Sequence, residues 1–200
     1  PKQTEPYTVE QMQYIVSKLG DVVKESDRAF IALMALHPLR LEEVLGLKFA
    51  DIDRTRNVIH VQRSVTHPTR NQPEIKATKT EASRRDVDLA AGILSYLPSG
   101  KAGDFIFGGV KPLSYTQVRR MCQRIKKDIG FDEDIQPRRF RTTVLTDIYD
   151  ATKDITKAQA AAGHTTAAMT LKHYVKGRQQ KLNTATPVSA LYGLSGSTAM

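Results

Sequence analysis

The segment from Ser114 to Gly130 constrains the fold most, because it carries a start signal, a stop signal and an apolar stripe for one long helix. Ser114 and Gln117 have the spacing of a capping box, and Gly130 lies where a helix-ending glycine is expected. The apolar residues that repeat at helical spacing between them are Val118, Met121, Cys122, Ile125 and Ile129. That stripe needs a core to pack on, and the hydrophobic fraction of 40% is large enough to supply one.

The opposite face of this helix is basic. No acidic residue precedes Asp128 in it, and its cations are Arg119, Arg120, Arg124, Lys126 and Lys127. A charged outer face is usually only solvated, but the chain also carries a net charge of +9, from 30 Lys and Arg against 21 Asp and Glu. The charge alone fits two kinds of protein about equally well: one that binds nucleic acid, and one that is basic without such a partner. The concentration of cations on one helix favours phosphate contact there.

Three helical segments precede the middle of the chain. Thr8 opens a capping box and a helix that runs to about Leu19. A second helix is predicted from Asp27 to Leu36 and stops before Pro38, because proline disfavours helical geometry in the residue before it. Apolar spacing then predicts a short helix that begins at Arg40. The first helix is predicted to bury Val9, Met12, Ile15, Val16 and Leu19.

Strand patterns follow in the middle of the chain. Apolar and polar residues alternate from Asn57 to Val65, which predicts one strand. Pro68 and Pro73 mark a loop after it. Two further short strands are predicted at Ile75-Lys76 and from Arg85 to Leu89. Helical residues near positions 90 to 97 then lead to a turn before the long basic helix.

The last regular segments are helical again. Pro137 precedes a helix whose predicted buried side consists of Phe140, Val144, Leu145 and Ile148. A short helix from Ile155 to Ala162 is predicted to end at Gly163. Beyond Gly177 the pattern fades into a linker-like stretch and a small apolar group around Leu191 and Tyr192.

Several classes of protein are not supported by the sequence. It has no apolar run of 18 residues, no zinc-ligand spacing and no phosphate-binding glycine loop. The single cysteine, Cys122, rules out an internal disulfide, fits a reducing cytoplasm and is expected to be a core residue. We therefore expect a cytoplasmic protein that needs no cofactor and no metal and has no membrane partner.

Four short motifs stand in a defined order along the chain. Arg40 is followed by Leu41-Glu42-Glu43-Val44-Leu45, and an arginine-rich box, Arg138-Arg139-Phe140-Arg141, comes much later. A Gly163-His164 pair follows, and Tyr174 lies ten residues after that histidine. Each motif is weak alone, but together they resemble the catalytic domain of the tyrosine recombinase (phage integrase) family, from about Thr8 to Tyr174.

The resemblance implies a fold and a domain plan. The fold is α+β, mainly helical, with a small three-stranded antiparallel β-sheet. The catalytic domain is expected to span residues 1–177, and residues 178–200 are expected to form a C-terminal tail that docks on a neighbouring protomer. The small helical core-binding domain that usually precedes the catalytic domain in the family is expected to be absent from this chain, which begins at Pro1.

The resemblance also assigns roles to individual residues. Positions that match the family's catalytic ones are Arg40, Lys79, Arg138, Arg141, His164 and Tyr174. Tyr174 would be the nucleophile, Arg40 and Arg141 would hold the phosphate, and Lys79 would protonate the leaving oxygen. His164 would donate to the phosphate, and Glu43 would support the first arginine. The resemblance also implies that one helix binds DNA, through Arg119, Arg120, Arg124 and Lys127.

The sequence departs from the family pattern at two places, and one role has a rival. Arg138 stands where the family has histidine, and His37-Pro38-Leu39-Arg40 lacks the family's glycine, so the turn geometry is expected to differ. Lys76 is close enough in sequence to compete with Lys79. Taken without the family, Arg40 fits a surface arginine and a functional one equally well, Lys79 fits a solvated turn lysine better, and a lone histidine is more often structural.

The function that the resemblance implies is site-specific DNA recombination through a covalent 3′-phosphotyrosine intermediate, in integration or excision of a phage or mobile element. The expected partner is a double-stranded DNA recombination site, on which the protein forms a tetramer and contacts itself through the C-terminal tail. Two alternatives stay open: a type IB topoisomerase with similar residues, and a DNA-binding module that has lost its chemistry.

Overall fold

The computed structural model describes residues 4–77 and 84–163. Six helices and five strands form in these ranges. The helices are α1 (Val9–Ser17), α2 (Glu25–Leu36), α3 (Leu41–Gly46), α4 (Tyr115–Ile129), α5 (Pro137–Thr152) and α6 (Ile155–Ala162). The strands are β1 (Ile52–Asp53), β2 (Val58–Val61), β3 (Arg63–Thr69), β4 (Gln72–Ala77) and β5 (Arg85–Asp88). Short 3₁₀ turns lie at Leu19–Asp21, Phe49–Asp51 and Ile93–Ser95, the last of these where the sequence predicted helical residues.

The predicted helix boundaries are confirmed where capping signals are present. Thr8 and Gln11 bond each other's backbone at the start of α1, and Ser114 and Gln117 do the same at the start of α4. Gly130 ends α4 at φ +65°, a left-handed conformation that glycine adopts without steric cost. The predicted apolar stripe of α4 is buried along its whole length.

The predicted buried face of α1 is wrong in part. Ile15 and Leu19 are buried, but Val9 is 45% exposed and Val16 is 37% exposed. These two valines line a shallow groove with Met12 beside α5. The helix is only nine residues long and contacts the core along a narrower stripe than its apolar spacing suggested.

The small antiparallel sheet of three strands is present, but its strands differ from those predicted. Its order is β1-β2-β5, with Ile59 opposite Val87 and Val58 opposite Asp88. The single strand predicted from Asn57 to Val65 is wrong, because the chain leaves this sheet at Gln62 and continues as β3 in a separate hairpin with β4.

The β3–β4 hairpin occupies the segment that was predicted to be a loop. Pro68 lies in β3 and Pro73 in β4, and both belong to the irregular part of the ladder between Thr66 and Thr69, where the residue pairing skips them. The tip of the hairpin rests on the start of α4, where the backbone N–H of Tyr115 donates to the carbonyl of Arg70 at 3.1 Å. A ring nitrogen of His67 lies 2.9 Å from the carbonyl oxygen of Leu113 in the same region.

Helix α2 lies at the centre of the core and packs against α3, α4 and α5. Its residues Phe30, Ile31, Leu33 and Met34 have no solvent exposure. Cys122 on α4 is buried against this core, and burial raises the pKa of its thiol to about 12, which fits the predicted structural role. Within the described ranges no helix is long and apolar enough to cross a bilayer.

His37, at the end of α2, fixes the start of the segment that leads to Arg40. Its Nδ1 lies 3.1 Å from the carbonyl of Leu33, and its Nε2 accepts the backbone N–H of Ala90 at 3.0 Å. One nitrogen therefore donates and the other accepts, which requires the neutral ring. Burial lowers the pKa of His37 to about 4, so the ring stays neutral near pH 7 and serves as a structural link.

Candidate active site, an arginine cluster around Glu43

Glu43 is the centre of the candidate site. It stands three residues after Arg40 on α3, and its side chain is only 5% exposed. The backbone N–H of Arg40 donates to Oε2 of Glu43 at 2.8 Å, and Nη1 of Arg40 donates to Oε1 at 2.8 Å. The predicted support of Arg40 by Glu43 is thus present as a direct contact. The side chain of Arg40 keeps 38% of its surface exposed to solvent.

Arg85 is a second partner of Glu43, and the sequence interpretation missed it. Its Nη1 donates to Oε1 and its Nη2 to Oε2, both at 3.0 Å, which is a bidentate arginine–carboxylate pair. The side chain is 9% exposed, and its Nε meets no acceptor among the described residues. Strand alternation was the available signal, because it places Arg85 on the same face of β5 as the buried Val87.

Two opposing effects act on the charge of Glu43. Burial by itself would raise the pKa of the carboxyl group. The hydrogen bonds and charge of Arg85, the backbone N–H of Arg40 and the charge of Arg141 outweigh burial, and the pKa of Glu43 lies below its ordinary value. The group is therefore a carboxylate near pH 7, and its negative charge offsets part of the repulsion among the surrounding guanidinium groups.

Arg141 joins the cluster from α5. Its Nη1 lies 3.8 Å from Oε2 of Glu43 and donates to the carbonyl of Pro38 at 2.6 Å. Its Nη2 donates to the carbonyl of Ala162 at 2.7 Å, close to the end of α6. The structure thus brings together three of the predicted residues, Arg40, Glu43 and Arg141, from two helices that are far apart in sequence.

The turn before Arg40 forms without the family's glycine. None of the residues from His37 to Arg40 has a positive φ, so no position in the turn requires glycine. The carbonyl of Pro38 points at the cluster and accepts from Arg141, with Nη2 of Arg85 at 3.4 Å. The departure from the family sequence is therefore accommodated by a turn that two arginines hold in place.

Arg138 lies beside the cluster and not in it. It is exposed on the first turn of α5, while Arg141 on the next turn points inward. Arg138 lines a groove of about 620 Å³ together with Glu42 and Arg119. The start of α5 has no side-chain cap, so its amide groups add positive potential on this side. The groove and the cluster adjoin along α3.

Three predicted catalytic residues, Lys79, His164 and Tyr174, lie outside the described ranges, as do residues 178–200. The rival lysine, Lys76, is described. It is exposed on β4, and its Nζ lies 4.0 Å from a carboxylate oxygen of Glu74. Across the ranges 4–77 and 84–163, no three His, Cys, Asp or Glu side chains come together as a metal site.

The cations on the basic face of α4 differ in the contacts that their side chains make. Arg119, Arg120 and Lys127 are exposed. Arg124 is also 45% exposed, and its Nε and Nη2 donate to the fully buried Asp27 at 2.7 and 3.0 Å. It is a structural contact between α4 and α2, since a carboxylate without water needs this partner. Its predicted contact with DNA stays a prediction, and the substitutions proposed below leave Arg124 intact because its loss would also leave Asp27 without this partner.

A comparison with known sequences gives one family and several relatives. The model of the phage integrase family matches residues 5–181. The chain is 26% identical over 171 residues to the tyrosine recombinase XerS of Streptococcus thermophilus, covering 79% of this chain and 44% of the relative. It is 24% identical over 163 residues to XerC of Leptospira interrogans, covering 82% and 50%. The chain thus spans about half the length of these relatives.

A comparison with solved structures shows the same fold. The Tn1549 transposon integrase in complex with circular intermediate DNA superposes with a TM-score of 0.72 at 21% identity, covering 96% of this chain and 68% of that one. The XerH site-specific recombinase bound to a palindromic difH substrate gives 0.66 at 18% identity, with coverages of 94% and 54%. The catalytic domain of bacteriophage HP1 integrase gives 0.59 at 11% identity and is covered completely, with 97% of this chain.

Proposed function

The chain belongs to the phage integrase family of tyrosine recombinases, and on this premise we propose that it cuts and rejoins double-stranded DNA at a recombination site. The reaction passes through a covalent 3′-phosphotyrosine intermediate and serves integration or excision of a phage or mobile element. In this proposal the protein acts as a tetramer on DNA. The catalytic domain spans residues 1–177, and residues 178–200 of one protomer dock on the next.

The observation that carries the proposal is the cluster of Arg40, Arg85 and Arg141 around one buried carboxylate. Three guanidinium groups and one carboxylate leave a local surplus of positive charge, and Arg40 is partly open to solvent. Such a surplus, held in place before the substrate arrives, suits a phosphate whose charge grows in the transition state. Arg40 and Arg141 would bind its non-bridging oxygens, and Arg138 would donate from the adjoining groove.

The proposed bond changes balance without a cofactor. The hydroxyl of Tyr174 gives its proton to water, to the phosphate or to another base, and its oxygen attacks the scissile phosphorus. A phosphotyrosine bond forms on the 3′ side, and the bond to the 5′ oxygen breaks. Lys79 gives its proton to that oxygen, which leaves as a 5′-hydroxyl. His164 donates a hydrogen bond to the phosphate. A second DNA hydroxyl then reverses these steps and rejoins the strand, because the phosphotyrosine conserves the energy of the broken ester.

A suicide substrate tests the proposal. A nick beside the scissile phosphate lets the short 5′-hydroxyl fragment diffuse away, so a tyrosine recombinase accumulates as a covalent protein–DNA adduct on a denaturing gel. Absence of any adduct, with DNA binding intact, would indicate a binding module without chemistry. Adduct formation with relaxation of supercoiled DNA but without Holliday junctions would indicate a reaction like that of type IB topoisomerases.

The exposed cations of α4 are expected to contact DNA phosphates. Replacing Arg119, Arg120 and Lys127 together by alanine should lower the slope of log affinity against log salt by up to ~2.7, at about 0.9 per lost contact. DNA binding titrations between low and moderate salt measure this slope. The matched control is the alanine triple at Lys101, Lys111 and Lys153, which removes the same charge from exposed sites outside α4. An equal decrease of this slope in both triple variants would mean that only the net charge of the protein affects DNA binding.

Arg138 is expected to be a permanent phosphate donor in place of the family's histidine. Arginine stays protonated at every working pH, so it donates to the phosphate but does not accept the proton of Tyr174. Arg138→Ala should slow cleavage by roughly 10²–10³-fold, the usual loss for one transition-state donor. Arg138→His should retain activity and add a pH dependence near ~6.5.

Single-turnover cleavage rates measured from pH 5.5 to 8.5 compare the two variants. The exposure of Arg138 on the first turn of α5 predicts that neither change alters the unfolding midpoint. Parental cleavage by Arg138→Ala would show that this arginine is only a solvated helix residue.

A further inference from the structure

We infer that Arg85 is a positioning residue of the active site, which occupies the carboxylate of Glu43 so that Arg40 and Arg141 stay available to the phosphate. This inference rests on the proposed function and goes beyond it, because no family motif drew attention to Arg85. Its side chain is 9% exposed, against 38% for Arg40. Arg85 therefore faces inward and acts through its neighbours.

The number of donors around Glu43 explains the role. The two carboxylate oxygens offer about four acceptor positions. Arg40 fills one on each oxygen, through its backbone N–H and its Nη1, and Arg85 fills the other two. Arg141 is held at 3.8 Å from Oε2, beyond hydrogen-bond distance.

Loss of Arg85 would open two acceptor positions on a buried carboxylate. An ionised group of this kind draws in the nearest cation, since a buried charge without partners is costly. Arg40 already bonds both oxygens, so the next cation is Arg141, whose Nη1 lies 3.8 Å away. Its movement towards Glu43 would break its bonds to the carbonyls of Pro38 and Ala162 and turn it from the position where the phosphate is proposed to bind.

The position of Arg85 in the chain extends the effect to other parts of the site. It opens β5 two residues after the segment 78–83, which contains Lys79. It also lies against Gly163, where an added Cβ would come within 3.1 Å of Cδ of Arg85. Gly163 directly precedes His164. The side chain of Arg85 thus contacts the turn before Arg40 and the residue before His164, and its backbone begins the strand that follows the segment with Lys79.

Arg85→Lys is the informative substitution, because lysine keeps the charge but does not offer the planar pair of donors that matches a carboxylate. Misplacement of a phosphate ligand by about 1 Å costs on the order of 10²-fold in rate. We therefore expect single-turnover cleavage of the suicide substrate by Arg85→Lys to slow about 10- to 100-fold. DNA affinity should stay within about twofold, because the side chain of Arg85 is only 9% exposed.

Arg63→Lys is the matched control. Arg63 also forms an ion pair with a buried acid next to α3. It bonds Asp51 and the carbonyl of Gly46, and among the described residues it has no bond to Glu43. A purely structural role would give both lysine variants lower unfolding midpoints and unchanged cleavage per folded molecule. The inference requires that only Arg85→Lys loses cleavage rate.

The outcomes separate this inference from the proposed function. A parent that forms no adduct overturns both. A parent that cleaves, beside an Arg85→Lys that cleaves at the parental rate, overturns the inference alone. If Arg85→Lys does not fold, Arg85→Gln is assayed with added guanidinium ion. Recovery of cleavage by guanidinium supports the positioning role, and recovery of folding without cleavage overturns it.

Discussion

Replacing Tyr174 by phenylalanine is expected to abolish the covalent protein–DNA adduct and to leave DNA binding nearly intact. Phenylalanine keeps the ring but lacks the oxygen that forms the phosphotyrosine bond, so no partial activity should remain at this position. The nicked suicide substrate measures the adduct, and a titration of the same DNA at fixed salt measures binding. This is the largest effect that we expect from a single substitution.

Tyr115 provides the control for this result. It is 47% exposed and lines the groove that contains Arg138, so it is the described tyrosine best placed to compete as a nucleophile. Tyr115→Phe should form the adduct at close to the parental rate. An adduct that persists in Tyr174→Phe and disappears in Tyr115→Phe would transfer the nucleophile to the groove and overturn the assignment.

The arginine cluster shows why a carboxylate belongs in a site that binds an anion. Guanidinium groups from α3, β5 and α5 repel one another when no phosphate is present, and Glu43 offsets that repulsion from a buried position. The cluster keeps a positive surplus after this compensation. It is therefore stable enough to form before the substrate arrives, and the phosphate meets donors that already have their orientation.

The helices were predictable from the sequence because their signals are local. A capping box starts α4, a left-handed glycine ends it, and both lie within a few residues of the positions that they control. Pro38 likewise marked the end of α2. The exposed valines of α1 were not predictable, because apolar spacing defines a face of the helix and does not show how much of that face meets the core.

The strands were less predictable because their pairing is not local. The alternation from Asn57 to Val65 was a correct strand signal, but nothing in it shows that the chain changes sheets at Gln62. Turn residues such as Pro68 suggested a loop, whereas the second strand of the hairpin keeps that segment extended. Register depends on partners that are distant in sequence, and the sequence pattern does not contain them.

The residues of the candidate site also differ in how well the sequence predicted them. Arg40, Glu43 and Arg141 were found because they match motifs, and the described structure places them together. Arg85 was missed, since an arginine at the start of a strand has no motif of its own and its importance comes from the fold. Arg124 was predicted to contact DNA from the concentration of cations on α4 and from the family resemblance, and neither showed that it also pairs with the buried Asp27 on the facing helix.

Replacing Lys79 by alanine is expected to slow cleavage by ~10²–10⁴-fold, the usual contribution of a general acid, while DNA affinity changes much less. The leaving oxygen of a DNA strand is a poor leaving group until it is protonated. The variant therefore still brings Tyr174 and the arginines to the phosphate but lacks the proton for the departing 5′ oxygen. Single-turnover rates on the suicide substrate measure the loss.

A substrate with sulfur in place of the bridging 5′ oxygen makes the assignment specific. A thiolate leaves without protonation, so the sulfur substrate should restore most of the rate of Lys79→Ala and change the parental rate little. Lys76→Ala is the control, because Lys76 lies on the adjoining β4 strand with its Nζ next to Glu74. It should cleave the normal substrate at close to the parental rate. Two results together would instead assign the general acid to Lys76. The sulfur substrate would not restore the cleavage rate of Lys79→Ala, and it would restore the rate of a slow Lys76→Ala.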